Sequence, residues 1–384
     1  MALGPQESNK QIVTLCMIVK DEAQVITRAL DSVRSFVDHI FICDTGSADL
    51  TKDIIELYLT ENKLSGKVVS TQWKDFGHNR TECFDLAKDY FPDSDYLMTL
   101  DADEIIVPWN KVPLDNKHVD ALPVLEGDTL YVKTCYGPME YSRATLFKAS
   151  LPWKWVGVIH EYATCEEATH ANTIANICNL PSTDGARSKN PDKYIDDAKL
   201  IEKDLERDPE NSRSWFYLAQ SYGDAHKPEL AVSAIENAIK YTTWGEEKFD
   251  ALLKKAHYKR QAGVPFSEVV GDYLCAYQQC PHRVEPLYYI ISHYRAIGDY
   301  ETASLFLQKA LSIPYPTHDI LFVESSIYHW RLQDEASLVY YYTGEPKVAY
   351  AIALLLLEKD VIPADDKERI KANVVFFDKP LKEG

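Results

Sequence analysis

Along the first hundred residues, apolar runs of strand length alternate with stretches in which apolar residues recur every three or four positions. Residues 11–19 (QIVTLCMIV) are almost wholly apolar, as a central parallel strand covered on both faces requires. Lys20, Asp21 and Glu22 end that run, and Val25, Ile26, Ala29, Leu30 and Val33 follow at helical spacing up to Phe36. Residues 39–43 predict a second strand, stopped by Asp44-Thr45-Gly46-Ser47; Asp49 can cap a helix running through Ile54, Ile55 and Leu57. Residues 67–70 predict a short third strand and residues 73–80 an irregular loop around Gly77. Cys83, Leu86 and Ala87 then predict a helix to Tyr90, and residues 96–100 a buried fourth strand that runs into Asp101, Ala102 and Asp103. Such alternation predicts an α/β domain built on a Rossmann-like, mostly parallel sheet.

Beyond Glu104 the pattern loosens. Residues 129–134 and 144–148 read as strands around a loop at 136–143, and the stretch from Trp153 to Tyr162 carries His160 and Glu161. A Pro/Gly/Ser-rich run at 179–191 marks a boundary, giving domains at 1–184 and 185–384. The second half is helical and repetitive. Trp215-x2-Leu218-Ala219-x2-Tyr222, followed by Ala231, Ile235 and Ala238, fits the tetratricopeptide (TPR) pattern, and Leu287, Ile290, Tyr294, Ala303, Leu307 and Ala310 repeat it. A weaker unit lies between, with Tyr273, Ala276 and Pro281, and Ala349 and Ala353 suggest a degenerate fourth. The repeat predicts an all-α TPR-like domain that either binds an acceptor or protein partner on its concave face or buttresses the first domain.

The 384 residues suffice for two domains, and 46% hydrophobic with 26% charged residues is globular composition. A net charge of −18 argues against nucleic acid as a partner. The longest apolar run, 349–357, is too short to cross a bilayer, and the polar residues 1–10 lack the apolar core of a signal peptide. Eight cysteines without CxxC spacing are expected as reduced thiols, which suits a cytoplasmic protein.

Two carboxylates one residue apart at the end of a strand, Asp101 and Asp103, can share a hard cation such as Mn²⁺ or Mg²⁺ that completes its shell with phosphate oxygens. Taken alone such a pair more often caps a turn and opens the next helix, and for Asp44 a helix-entry cap is an equal alternative. Trp153 and Trp155 suit either a sugar face or a core strand.

Four blocks in order, Leu15-Cys-Met-Ile-Val-Lys-Asp-Glu22, Asp44-Thr-Gly-Ser-Ala-Asp49, Trp73-Lys-Asp-Phe76 with Asn79-Arg80, and Leu100-Asp-Ala-Asp-Glu104, resemble family 2 glycosyltransferases of the GT-A fold. The chain departs from the pattern at Asp21, Ala23 and Ala48, all in turns. The resemblance implies donor contacts from Lys20, Asp21, Glu22, Asp44, Arg80, Asp101 and Ala102, with Asp44 on the nucleoside and Arg80 near the phosphates. It implies metal ligation by Asp101 and Asp103, with His160 as a third ligand, and makes Glu161 a candidate base for the acceptor. The expected activity is metal-dependent, inverting transfer of a sugar, a hexosyl group from a UDP-sugar, to a hydroxyl of a glycan or protein. Two other classes compete: a catalytically silent sugar-nucleotide scaffold acting through its repeats, and a nucleotidyltransferase. The latter normally shows a Gly-rich loop after the first strand, and Lys20–Ala23 has no glycine.

Overall fold

A computed structural model of the chain describes residues 10–109, 119–137 and 139–383. The polar N-terminal segment read above lies, but for Lys10, outside the described residues, as does Pro138. Contacts divide the chain into two compact units. One comprises the described residues up to Asp196 other than Gly137 and 139–141; the other comprises those residues and the described residues from Asp197 onwards. The run at 185–196 therefore goes with the first unit, later than the boundary at 184 that composition suggested.

In the first unit, β1 (Val13–Val19), α1 (Ile26–Val33), β2 (His39–Asp44), α2 (Thr51–Glu61), β3 (Ser65–Ser70), α3 (Phe76–Tyr90) and β4 (Tyr96–Thr99) alternate as the pattern predicts. They are followed by β5 (Glu104–Pro108), β6 (Thr129–Tyr136), β7 (Met139–Lys148), β8 (Lys154–Val156), β9 (Tyr162–Thr164) and β10 (Ala171–Pro181). Eight strands form one sheet in the order β3-β2-β1-β4-β7-β6-β10-β5, and β8 pairs with β9 alone. The four strands from β3 to β4 are parallel; β7 runs antiparallel to β4, and β5 antiparallel to β10. The unbroken apolar run of β1 follows from burial on both sides. Val13, Leu15, Met17 and Val19 pack with Ile26, Leu30 and Val33 of α1, while Cys16 packs with Cys83 and Phe84 of α3 on the opposite face.

Three expectations need correction. The loop expected at 73–80 gives way to α3, which starts at Phe76: the Asp75 side chain accepts from the His78 N–H at 2.7 Å and caps it. Gly77 is not a breaker but a packing site, since a Cβ there would lie 2.6 Å from the carbonyl oxygen of Gly157. The loop at 136–143 is a hairpin whose strands extend to Tyr136 and resume at Met139. β5 and β10 went unpredicted, because Asn172, Thr173, Asn176 and Asn179 break up the apolar signal of β10.

The second unit is helical. After α4 (Lys193–Leu205), which spans the boundary, come α5 (Ser212–Asp224) with α6 (Pro228–Tyr241) and α7 (Gly245–Gln261) with α8 (Phe266–Gln279). Then follow α9 (Glu285–Ala296) with α10 (Tyr300–Leu311), α11 (Leu332–Tyr342) with α12 (Pro346–Leu357), and finally α13 (Ala364–Glu383). Each alanine singled out in the repeat, from Ala219 and Ala231 to Ala349 and Ala353, is fully buried. Small side chains there let neighbouring helices approach closely, as TPR-like stacking needs. No described helix is long and apolar enough to cross a membrane.

Candidate active site

Because β2, β1 and β4 are adjacent and parallel, the segments that follow them leave the same edge of the sheet. That brings Lys20–Glu22, Asp44–Ser47 and Asp101–Asp103 together, at the carboxyl edge where open α/β sheets bind ligands. The first two loops are knitted to each other. Asp21, with a left-handed backbone (φ 57°), donates its N–H to the Ser47 hydroxyl at 2.9 Å and accepts from the Ala48 N–H at 2.6 Å. The Glu22 N–H donates to the Thr51 hydroxyl at 2.7 Å. Lys20 is exposed and Ala102 buried.

Asp44 divides its two oxygens between two tasks. Oδ1 accepts from the N–H groups of Gly46 and Ser47 at 2.9 and 3.0 Å and so fixes the turn. Oδ2 is buried and has no hydrogen-bond partner among the described residues. An unsatisfied buried carboxylate oxygen costs free energy until a donor arrives. Helix entry is served instead by Asp49, which accepts from the Thr51 N–H at 2.9 Å.

Arg80, on α3, is buried, and each of its three nitrogens makes a hydrogen bond. Its Nε donates to Glu161, one Nη to Asp101, and the other Nη to the Thr99 hydroxyl at 3.0 Å. Burial disfavours its charge, but Asp101 and then Glu161 outweigh that and hold its pKa above the usual value. Its guanidinium stacks 5.3 Å over Trp155. Arg80 thus clamps Asp101 and Glu161, residues far apart in the chain, to one point. Asp101 in turn is held below the ordinary carboxylate range: burial raises it, and Arg80 and Arg143 more than compensate.

Asp103 and Glu22 behave oppositely. Burial, then the charges of Asp101 and Glu104, push Asp103 up to about 6. Burial, with added repulsion from Asp103 and Asp101, pushes Glu22 up to about 7 despite the Ala186 N–H that donates to it at 3.1 Å. The carboxylates at this edge therefore outnumber the cations that could neutralise them, and a divalent cation suits that donor set. Among the described residues, no three His, Cys, Asp or Glu side chains converge closely enough to hold an ion by themselves. The arrangement fits an ion carried by one or two carboxylates and completed by phosphate oxygens, rather than a closed protein cage. His160 does not join Asp101 and Asp103 in such a group; it sits between β8 and β9 with a left-handed backbone (φ 53°).

Several contributors were not among the expected site residues. Glu104, buried, accepts the Asp101 N–H at 3.1 Å and pairs with Arg143 of β7, whose Nη1 donates to it at 2.8 Å. The segment after β10 crosses the same edge: the Ser182 N–H donates to the Asp103 carbonyl at 3.0 Å, and Asp184 takes a bidentate pair from Arg28 at 2.7 and 2.8 Å. A Cβ on Gly185 would lie 2.7 Å from the Asp103 carboxylate. Trp153 and Trp155 are core residues, packed on Phe147 with ring centroids 5.1 and 5.5 Å away.

Residues 14–111 match the family described as Glycosyl transferase family 2. A TPR repeat-containing protein of Synechococcus elongatus is 34% identical over 134 residues, covering 34% of this chain and 30% of that protein. The SPbeta prophage-derived glycosyltransferase SunS of Bacillus subtilis is 24% identical over 271 residues, 66% of this chain and 60% of its own. The chain thus spans less than two thirds of the length of either relative. Among solved structures, that of MamA superposes with a TM-score of 0.35 at 16% identity, covering 43% of this chain and 88% of that one. Over residues 14–111 the chain is thus similar to glycosyl transferase family 2, and a TPR-like series of paired helices follows in the same chain.

Proposed function

We propose that the chain is a glycosyltransferase that moves a sugar from a nucleotide-sugar donor, a UDP-sugar, to an acceptor hydroxyl on a glycan or protein. The observation that carries this reading is the pair of raised carboxyls, Asp103 and Glu22, set beside the unsatisfied Asp44 oxygen at the carboxyl edge of the sheet. Asp44 Oδ2 accepts a donor group of the nucleoside. Asp101 and Asp103 would hold Mn²⁺ or Mg²⁺, which when bound neutralises charge gathering on the departing diphosphate. Arg80 sets the position of Asp101 and Glu161 through its Nε and one Nη. Glu161 accepts from Arg80 through Oε1, which leaves Oε2 to take a proton from the acceptor hydroxyl. The helical unit supplies a surface for the acceptor or a protein partner.

Screening a panel of nucleotide sugars for hydrolysis and transfer, with and without Mn²⁺, tests the reading. Metal-stimulated turnover of one donor supports it. Nucleotide binding without turnover of any donor would favour the silent scaffold, and no binding would overturn both.

A further inference from the structure

Cys135 near the end of β6 and Cys178 in β10 place their sulfur atoms 2.9 Å apart. Non-bonded carbon atoms rest ~3.5–4.0 Å apart, and sulfur is larger than carbon. A disulfide needs ~2.05 Å, so less than about 1 Å of further approach separates this pair from a covalent bond. The topology explains the contact. β6 and β10 are neighbouring parallel strands in which Cys178 stands opposite Lys133, so Cys178 and Cys135 share one face of the sheet. The register breaks between Ile174 and Cys178, an irregularity that re-aims the strand immediately before the cysteine.

Accessibility separates this pair from the other cysteines. Cys16, Cys43 and Cys83 also lie close together, yet all three are buried in the core. Cys135 is partly exposed while Cys178 is fully buried behind it. A small oxidant meets Cys135 first, and the resolving thiol is already in contact.

We infer that Cys135 and Cys178 form an oxidation site in which hydrogen peroxide converts the two thiols to a disulfide linking β6 to β10. The Cys135 sulfur attacks one peroxide oxygen, breaking the O–O bond; sulfenic acid forms and water leaves. The Cys178 sulfur then attacks that sulfenic sulfur, the S–S bond forms, and a second water carries off the oxygen. Two thiols lose two electrons and two protons in all, and one peroxide is reduced to two waters. The link would tie β6 to the strand whose Pro181 pairs with Glu104 at the candidate active site. This inference is independent of the proposed transferase activity.

The test is peptide mapping of the reduced full chain after a few equivalents of hydrogen peroxide, under non-reducing conditions. Trypsin is combined with a Glu-specific protease, because Glu166 and Glu167 then separate Cys165 from Cys178. The expected result is one cross-linked species, residues 134–140 joined to the Cys178 peptide and lighter by two hydrogens. It should account for the first two of the eight thiols lost and reverse on reduction with dithiothreitol. Cys135→Ser should abolish the species and leave Cys178 as a thiol at the same peroxide dose. Should that variant not fold, the wild-type map alone decides. Cys135 found as sulfinic acid, or paired with any other cysteine while Cys178 stays reduced, would overturn the inference.

Discussion

Replacing Arg80 by methionine removes the clamp while keeping an unbranched side chain in the buried slot over Trp155. Three bonds are lost. The pair with Glu161 is the strongest, since both side chains are only 10% exposed, and a hydrogen bond to a charged group there is worth ~1.5–3 kcal/mol. The pair with Asp101 is discounted to ~1 kcal/mol or less, because the Asp101 side chain is 36% exposed and partly screened by solvent. The neutral bond to Thr99 adds ~1 kcal/mol. The total loss is about 2.5–5 kcal/mol, in line with breaking a buried ion pair from one side. Because the two units need not unfold together, native-state hydrogen exchange at the amides of β1 and β4 is the proper assay. The loss also carries a sign with pH. Asp101 is held below its ordinary pKa, so its share of the stability is fully present above the unfolded value near 3.9 and is lost as pH falls through the folded value. The gap between wild type and Arg80→Met should therefore be widest near pH 7 and shrink towards pH 3. A gap under ~1 kcal/mol at pH 7, or one that does not narrow in acid, would refute the clamp.

Other substitutions probe the remaining contacts. Asp44→Asn keeps the turn-forming oxygen but replaces the unsatisfied one, so calorimetry should show nucleoside diphosphate binding weakened about ten- to a hundredfold with thermal stability retained. Glu161→Gln keeps a hydrogen-bond acceptor for Arg80 while removing basicity, and sugar transfer should fall ~10²–10⁴-fold with donor binding intact; unchanged transfer would move the base elsewhere. Gly77→Ala drives a methyl group against the Gly157 carbonyl, and chemical denaturation should register a loss of ~1–3 kcal/mol.

Much of the first unit was legible because it obeys local rules. β1, β2 and β4 are buried, nearly continuous apolar runs, so their ends and the acids beyond them stood out. The paired helices were legible for a similar reason, since alanines recur where the helices touch. What escaped was long-range or masked by composition. Nothing near Arg80 announces that its partner lies 81 positions away at Glu161. Nor does Glu104 announce Arg143, or Glu22 the Ala186 N–H that reaches it from beyond β10. Gly77 signalled a loop because a glycine within a helix is costly on local grounds; its reason, close backbone approach of Gly157, is tertiary. The resemblance to family 2 singled out Arg80, but not the two carboxylates, Glu161 and Asp101, that it holds.

The central claim is that Asp103 belongs to a metal-assisted sugar-nucleotide site, and Mn²⁺-stimulated donor turnover by a folded Asp103→Ala protein tests it most directly. If Asp103 helps hold the ion, losing ~4 kcal/mol of transition-state stabilisation slows turnover about a thousandfold and flattens the response to added Mn²⁺. Turnover and metal response close to wild type, in a variant whose thermal unfolding is unchanged, would contradict the account.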